Sequence, residues 1–155
     1  MSKLSEMIDR LGLAIHSNYI PMERDEEPRL KWNISLFHGG SKVLNCTYTA
    51  GIGHAPSYPA AVAYDECRHG LDMRRVRHHI PDIKPDQADV VRSIVMDGRA
   101  LDFSCFEDWA NEFGFDTDSR KAEAMYKQCL SHGLMLRASL GRGQWDELCD
   151  AVNEE

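Results

Sequence analysis

The chain has 155 residues, of which 43% are hydrophobic and 28% charged, proportions typical of a folded globular protein and unlike those of a disordered segment. No stretch approaches the roughly 18 consecutive apolar residues of a membrane span, and the acid-containing N-terminus does not resemble a secretory signal. The net charge of -7 disfavours direct binding of nucleic acid. We therefore predict a single cytoplasmic domain over residues 1–155.

The first predicted elements are a short helix and a strand. The alternating stretch LAIHSNYI predicts a strand that Pro21 ends, and the charged stretch MERDEEPR after it predicts a loop. The preceding helix is predicted over residues 3–10, before Gly12, from apolar residues at helical spacing, namely Leu4, Met7, Ile8 and Leu11.

Residues 30–37 (LKWNISLF) and 42–50 (KVLNCTYTA) predict a β-hairpin joined by HGGS. A two-residue Gly-Gly turn would pair Leu36 with Val43 and place the apolar residues of the two strands on opposite faces. A three-residue connection, GGS, pairs Leu36 with Leu44 and gathers the apolar residues on one face. We therefore predict the three-residue connection, with Ile34 opposite Cys46 and Trp32 opposite Tyr48.

The second half of the chain is predicted to be helical. Asp86 is a suitable N-cap for the stretch QADVVRSIV that follows the prolines of HHIPDIKPD. The fold class is therefore α+β, with a small antiparallel sheet of about three strands packed against several C-terminal helices. The helices are predicted over residues 60–73, 86–97, 103–113, 118–139 and 143–152.

The cysteines are odd in number and form no CxxC pair. In a chain without an export signal, this pattern indicates reduced thiols packed as small apolar side chains more than a disulfide framework or a structural zinc site. They are Cys46, Cys67, Cys105, Cys129 and Cys149.

Two segments carry groups that could perform chemistry. In GIGH, the glycines allow close backbone approach and display His54, although a tight exit from the strand explains the same glycines. The stretch CRHGLDMRRVRHH covers residues 67–79. Its residues Arg74, Arg75 and Arg77 could contact phosphate, or they could form an ordinary solvated surface. Its possible metal ligands are Cys67, His69, His78 and His79. They lack the paired spacing of zinc motifs, so we predict no cofactor.

The negative charge is concentrated in the last third of the chain. Residues 1–60 contain six basic residues (lysine or arginine) and six acidic ones (aspartate or glutamate), and residues 61–100 contain seven of each. Residues 101–155 have five against twelve, and the interval 102–118 has six acids and no base. This asymmetry predicts a molecule with one acidic end.

The stretch FEDWANEFGFDTDS shows how that acidic end is built. Phe106, Trp109, Ala110 and Phe113 fall on one helix face, and Glu107, Asp108, Asn111 and Glu112 fall on the other. Gly114 is predicted to end this helix, and Asp116 or Asp118 to cap the next. The buried stripe of that next helix is predicted to be Ala122, Met125, Tyr126, Cys129, Gly133 and Leu136.

The carboxylates of this stretch have two interpretations. They could be an ordinary solvated helix face. However, Asp108 and Glu112 are a like-charge pair four residues apart, which disfavours the helix and suggests a face that presents charge to a basic partner. The candidate partner-binding residues are Asp102, Glu107, Asp108, Glu112, Asp116 and Asp118, extended by Asp146, Glu147, Asp150, Glu154 and Glu155.

Residues 12–130 resemble small proteins encoded by bacteriophages and prophages. The resemblance lies in three stretches that occur in the same order: YTAGIGH, KPDQADV, and FEDW followed by EFGFDTDSRKAEAMYKQC. The chain departs from their pattern at Ala110, where a cysteine is expected. The resemblance implies a mobile-element protein that acts in an infected bacterium by blocking a host machine, as anti-CRISPR proteins do.

The leading hypothesis is therefore a non-enzymatic inhibitor that binds a host defence or nucleic-acid-processing protein, such as a CRISPR effector, through its acidic surface. One alternative is a metal- or histidine-dependent enzyme that uses His54 and the segment from Cys67 to His79. Another is a direct nucleic-acid binder that uses the three arginines of that segment.

Overall fold

The structure of the protein is a computed structural model, and it describes residues 2–20, 30–50 and 84–154. The described part has the predicted α+β architecture, a three-stranded antiparallel sheet with helices that are mostly C-terminal to it. The elements are α1 (Lys3–Leu11), β1 (Leu13–Ile20), β2 (Leu30–His38), β3 (Ser41–Ala50), α2 (Gln87–Gly98), a 3-10 turn (Arg99–Asp102), α3 (Phe106–Phe113), α4 (Arg120–Leu140) and α5 (Arg142–Asn153).

Helix α1 forms as its sequence pattern predicts. The Ser2 hydroxyl accepts a hydrogen bond from the Ser5 amide at 3.1 Å and so satisfies one of the free amides of the first turn. Gly12 ends the helix with a φ of +70°, a conformation that glycine adopts without strain. The four residues at helical spacing, Leu4, Met7, Ile8 and Leu11, are all buried.

The hairpin has the predicted pairs but not the predicted turn. Leu36 lies opposite Leu44, and the two pairs further from the turn are also as predicted. The connection is nevertheless a two-residue turn, Gly39–Gly40, in which both residues have positive φ as such hairpin turns require. A bulge at Val43 supplies the extra residue and restores the register beyond it. The prediction of a three-residue connection is therefore wrong.

One face of the sheet carries the main core. Trp32, Ile34 and Leu36 have no exposed surface, and helices from both ends of the sequence cover them. On the opposite face Asn33 and Asn45 exchange amide hydrogen bonds at 2.8 and 3.2 Å. The sheet thus has one apolar and one polar side, which is what its alternating sequence predicts. The helical part of the core includes Leu4, Val90, Val91, Val95, Leu136 and Leu148.

Helices α2 and α4 cross with almost no space between their backbones. A Cβ placed on Gly133 would lie 2.3 Å from the carbonyl oxygen of Gly98 and 2.9 Å from its Cα. The contact therefore requires glycine on α4. It also places the C-terminal part of α4 in the main core, where Leu136 and Leu140 are buried, and leaves the N-terminal part to carry a second cluster.

The helix boundaries agree with the sequence patterns to within a few residues. Asp86 caps α2 as predicted, because its carboxylate accepts a hydrogen bond from the Ala88 amide at 3.3 Å. Helix α3 begins at Phe106 instead of Phe103, because the 3-10 turn precedes it and Phe103 is extended. The predicted helix over 60–73, the loops over 22–29 and 51–59, and Pro21 lie outside the described residues.

Candidate functional site

The second cluster forms where α3 meets the start of α4. We call residues 102–118 the α3 corner. Trp109 and Ala110 of α3 are buried, together with Tyr126 of α4. Gly114 ends α3 with a φ of +76°, as predicted, and the chain turns so that the Phe115 amide donates a hydrogen bond to the Ala110 carbonyl at 2.8 Å.

Trp109 is the centre of the aromatic packing in the α3 corner. Its ring lies parallel to that of Phe115, with an angle of 8° and 5.1 Å between centroids. The rings of Phe113 and Tyr126 each lie 5.5 Å from it, and that of Phe106 lies 6.2 Å away. A ring held by four others in offset and tilted contacts is fixed in orientation, so Trp109 gives the corner a rigid support.

Two aromatic side chains of this cluster remain open to solvent. Trp109 is only 6% exposed, but Phe113 is 55% exposed and Phe115 is 37% exposed. Phe113 is the last residue of α3, so its ring contacts Trp109 and Phe103 and has no further turn of helix to cover it. Phe113 thus lies on the apolar face that its spacing predicts, but more than half of it remains exposed.

The exposure of this aromatic pair was not predicted from the sequence. The sequence does contain an indication of it. Phe113 and Phe115 flank Gly114, and a chain that turns at the glycine cannot bury both rings in the apolar stripe of one helix. The buried stripe of α4 also needs one correction. Met125 is 38% exposed, because it lies on the flank of the helix, whereas Ala122 and Tyr126 are buried as predicted.

The cap of α4 is neither of the predicted aspartates. The Ser119 hydroxyl accepts a hydrogen bond from the Ala122 amide at 3.1 Å, in the geometry of an N-cap. The Asp116 carboxylate is already used one turn earlier, where it accepts the Asp118 amide at 2.9 Å. The stretch DTDS is therefore a local turn followed by a serine cap.

The predicted acidic residues of the α3 corner are all exposed, and the structure divides them into two groups. Asp102 is neutralised by Arg99, whose Nε lies 3.2 Å from its carboxylate, and Asp108 accepts a hydrogen bond from the Ser104 hydroxyl at 2.7 Å. The second group has five carboxylates, Asp108 among them. Among the residues that the structure describes, none of the five has a lysine, arginine or histidine nitrogen within ion-pair distance; the other four are Glu107, Glu112, Asp116 and Asp118.

The predicted extension along α5 behaves differently. Glu147 lies 2.6 Å from Arg10, and Glu154 lies 2.6 Å from Lys3, so two of its carboxylates are neutralised by α1. The hydrogen bond to Glu154 raises the pKa of Lys3 above its ordinary value. These pairs border an open groove of about 490 Å³ whose lining mixes both charges. Asp146 and Asp150 are exposed nearby, and Glu155 lies outside the described residues.

The described cysteines are free thiols, as predicted, and three of them are poor nucleophiles. Burial raises the pKa of Cys46, Cys129 and Cys149 to about 11 in each case, and for the first two the charge of Asp97 adds to the effect. Since the thiolate is the form that attacks electrophiles or binds metals, these thiols are protonated and inert at neutral pH. Cys105 is exposed.

The other candidate residues lie outside the described part of the chain. Within residues 2–20, 30–50 and 84–154, no three histidine, cysteine, aspartate or glutamate side chains are grouped so that they could hold a metal ion. The candidates outside these ranges are His54, Cys67, His69, Arg74, Arg75, Arg77, His78 and His79.

Among the helices that the structure describes, none combines the length and apolar character needed to span a membrane. Comparison of the chain with protein-family models, with curated proteins and with solved structures found no match.

Proposed function

We propose that the protein is a non-enzymatic binding protein whose α3 corner docks on a basic surface of another protein. The observation that carries the proposal is the pairing of exposed aromatic rings, Phe113 and Phe115, with unneutralised carboxylates on a rigid support. Aromatic residues are enriched in protein interfaces, and a few buried side chains contribute most of the binding energy there. Carboxylates around them accelerate association with a basic partner and exclude acidic ones.

The resemblance to phage and prophage proteins supplies the setting of this proposal. In that setting the partner is a host defence or nucleic-acid-processing protein, such as a CRISPR effector, in the bacterial cytoplasm. Such proteins have basic grooves that bind phosphate backbones. An acidic surface with aromatic anchors would occupy a groove of that kind and block it, so the proposed activity is inhibition by occupancy.

The two alternative functions gain no support from the described residues. The described thiols with raised pKa values are unsuited to nucleophilic catalysis. The unneutralised carboxylates of the α3 corner would repel a phosphate backbone. Both alternatives depend on His54 or on residues 67–79.

The test of the proposed function is charge reversal within the α3 corner. In the variant Glu107→Lys, Asp108→Lys and Glu112→Lys, each change adds two charges, so three changes take the net charge from -7 to -1. Tagged protein is immobilised and exposed to bacterial lysate, and the retained host protein is identified and its affinity measured. We expect the variant to lose at least about tenfold in affinity, or about 1.4 kcal/mol.

A matched control separates the surface from the overall charge. The variant Asp9→Lys, Asp146→Lys and Asp150→Lys reaches the same net charge of -1, but its changes lie on α1 and α5 instead of α3. It should retain the partner with little loss. Equal losses in the two variants, at unchanged melting temperature, would mean that net charge alone drives binding, and the proposed docking surface would be wrong.

A further inference from the structure

The open ring of Phe115 has a defined orientation. Trp109 stacks against one face of it, with 8° between the planes and 5.1 Å between the centroids, and Phe115 as a residue is still 37% exposed. Phe113, on the other side of Gly114, is the more exposed of the two rings. The corner therefore offers two aromatic surfaces that are fixed by the same buried tryptophan.

We propose that these two rings hold an arginine side chain of the partner, so that the α3 corner selects arginine over lysine. This inference rests on the proposed function and specifies its ligand chemistry. A guanidinium group is planar, so it can stack on an aromatic face while its edge donates hydrogen bonds to carboxylates. The carboxylates of Glu112 and Asp116 directly adjoin the two rings in sequence.

Charge decides between a cationic and an apolar occupant. An apolar partner segment that covered the rings would also bring their sequence neighbours Glu112 and Asp116 into the interface without neutralising them. Burial of unpaired carboxylates is strongly unfavourable. A lysine would neutralise them, but its ammonium is a point charge that cannot stack and bridge at the same time. Arginine satisfies both the rings and the carboxylates.

Three nearby basic residues of the described chain form no ion pair with the carboxylates of Glu112 and Asp116. Arg99 is held by Asp102 and by the Asn153 side chain, and Lys127 pairs with Glu123. Arg120, in the first turn of α4, forms no ion pair with the carboxylates of the corner in the part of the chain that the structure describes. Within the described residues, therefore, no cation completes this surface, and we assign that role to the partner.

The test uses two synthetic peptides that are identical except for three arginines or three lysines separated by glycines. Fluorescence anisotropy with labelled peptide at low salt measures their affinities for the full-length protein. We expect the arginine peptide to bind about tenfold more tightly, since both rings contribute a cation–π contact. In the variant Phe113→Leu and Phe115→Leu, which keeps apolar side chains but removes both ring faces, this preference should disappear.

Phe37→Leu is the matched control, because it removes a partly buried ring from the sheet, and it should leave the preference intact. Equal affinities of the wild-type protein for the two peptides, or no measurable binding of either, would overturn the arginine inference. If both peptides bound equally and the charge reversals on α3 abolished that binding, the proposed function would stand without the inference. Binding of both peptides that survived those reversals would contradict the proposed function itself.

Discussion

The close crossing of α2 and α4 gives the most direct structural prediction, through the substitution Gly133→Ala. The added Cβ would meet the Gly98 carbonyl oxygen at 2.3 Å and the Gly98 Cα at 2.9 Å. Ordinary van der Waals contacts of a Cβ begin near 3.4 Å, so the overlap with the oxygen is about 1 Å. Both contacted atoms belong to the backbone, so the helices must separate along the part of α4 that enters the main core.

The magnitude follows from two opposing effects. Overpacking of a well-packed interior costs about 1–3 kcal/mol, and a backbone clash of this depth belongs at the upper end of that range. Replacing glycine by alanine within a helix returns up to about 1 kcal/mol through helix propensity. We therefore expect a net loss of about 2 kcal/mol in the free energy of unfolding. For a chain of this length that loss lowers the melting temperature by roughly 4–8 °C.

Urea unfolding followed by circular dichroism measures this loss, with Gly143→Ala as the control. Gly143 lies in the first turn of α5, and a Cβ there would meet no atom within 4 Å. The control should be neutral or stabilised by up to about 1 kcal/mol. If Gly133→Ala proved as stable as Gly143→Ala, the helices would not cross at these glycines and the described packing of α4 would be wrong.

Three further predictions concern the cap of α4 and the buried thiols. Ser119→Ala should cost about 1 kcal/mol in urea unfolding, because it removes the hydroxyl that accepts the first-turn amide; a change below about 0.3 kcal/mol would contradict that cap. With Ellman's reagent at pH 8, Cys105 should react quickly, and Cys46, Cys129 and Cys149 should react only after denaturation. Because folding raises the pKa of these three thiols from 9.0 to about 11, their contribution to stability is complete below pH 9 and is lost as the pH rises to about 11. The free energy of unfolding should therefore fall across that interval, and a constant value between pH 9 and 11 would contradict this assignment.

The register of the hairpin was predictable from its sequence, but its turn was not. Alternation of apolar and polar residues, together with a short connection, was enough to predict that Leu36 faces Leu44, because a one-residue slip would have buried the polar set. It could not distinguish a three-residue connection from a two-residue turn followed by a bulge at Val43. Both add one residue between the paired positions, and the choice depends on the backbone twist of the glycine turn.

The α3 corner shows where periodicity stops being informative. The helical spacing predicted the buried faces of Trp109, Ala110 and Tyr126 correctly, because those residues lie in the interior of their helices. At the helix end the pattern assigned Phe113 to the interior, although no following turn exists to cover its ring. Aspartate and serine are both good N-caps, so composition alone could not select Ser119 within the stretch DTDS.

The charge layout was predicted in one respect and changed by folding in another. The excess of carboxylates in the interval 102–118 remains largely unneutralised in the described structure, as its lack of bases suggested. The carboxylates of α5 instead meet the cations of α1, in the pairs Glu147–Arg10 and Glu154–Lys3. Contacts between residues so distant in sequence could not be inferred from local composition.

Hydrogen–deuterium exchange, measured on the protein alone and bound to the host protein that it captures, tests the central claim most directly. If the α3 corner is the docking surface, amides of residues 106–118 should exchange more slowly in the complex, while those of α1 and of the sheet should be unchanged. Protection confined to the groove between α1 and α5, or to the sheet, would contradict the account.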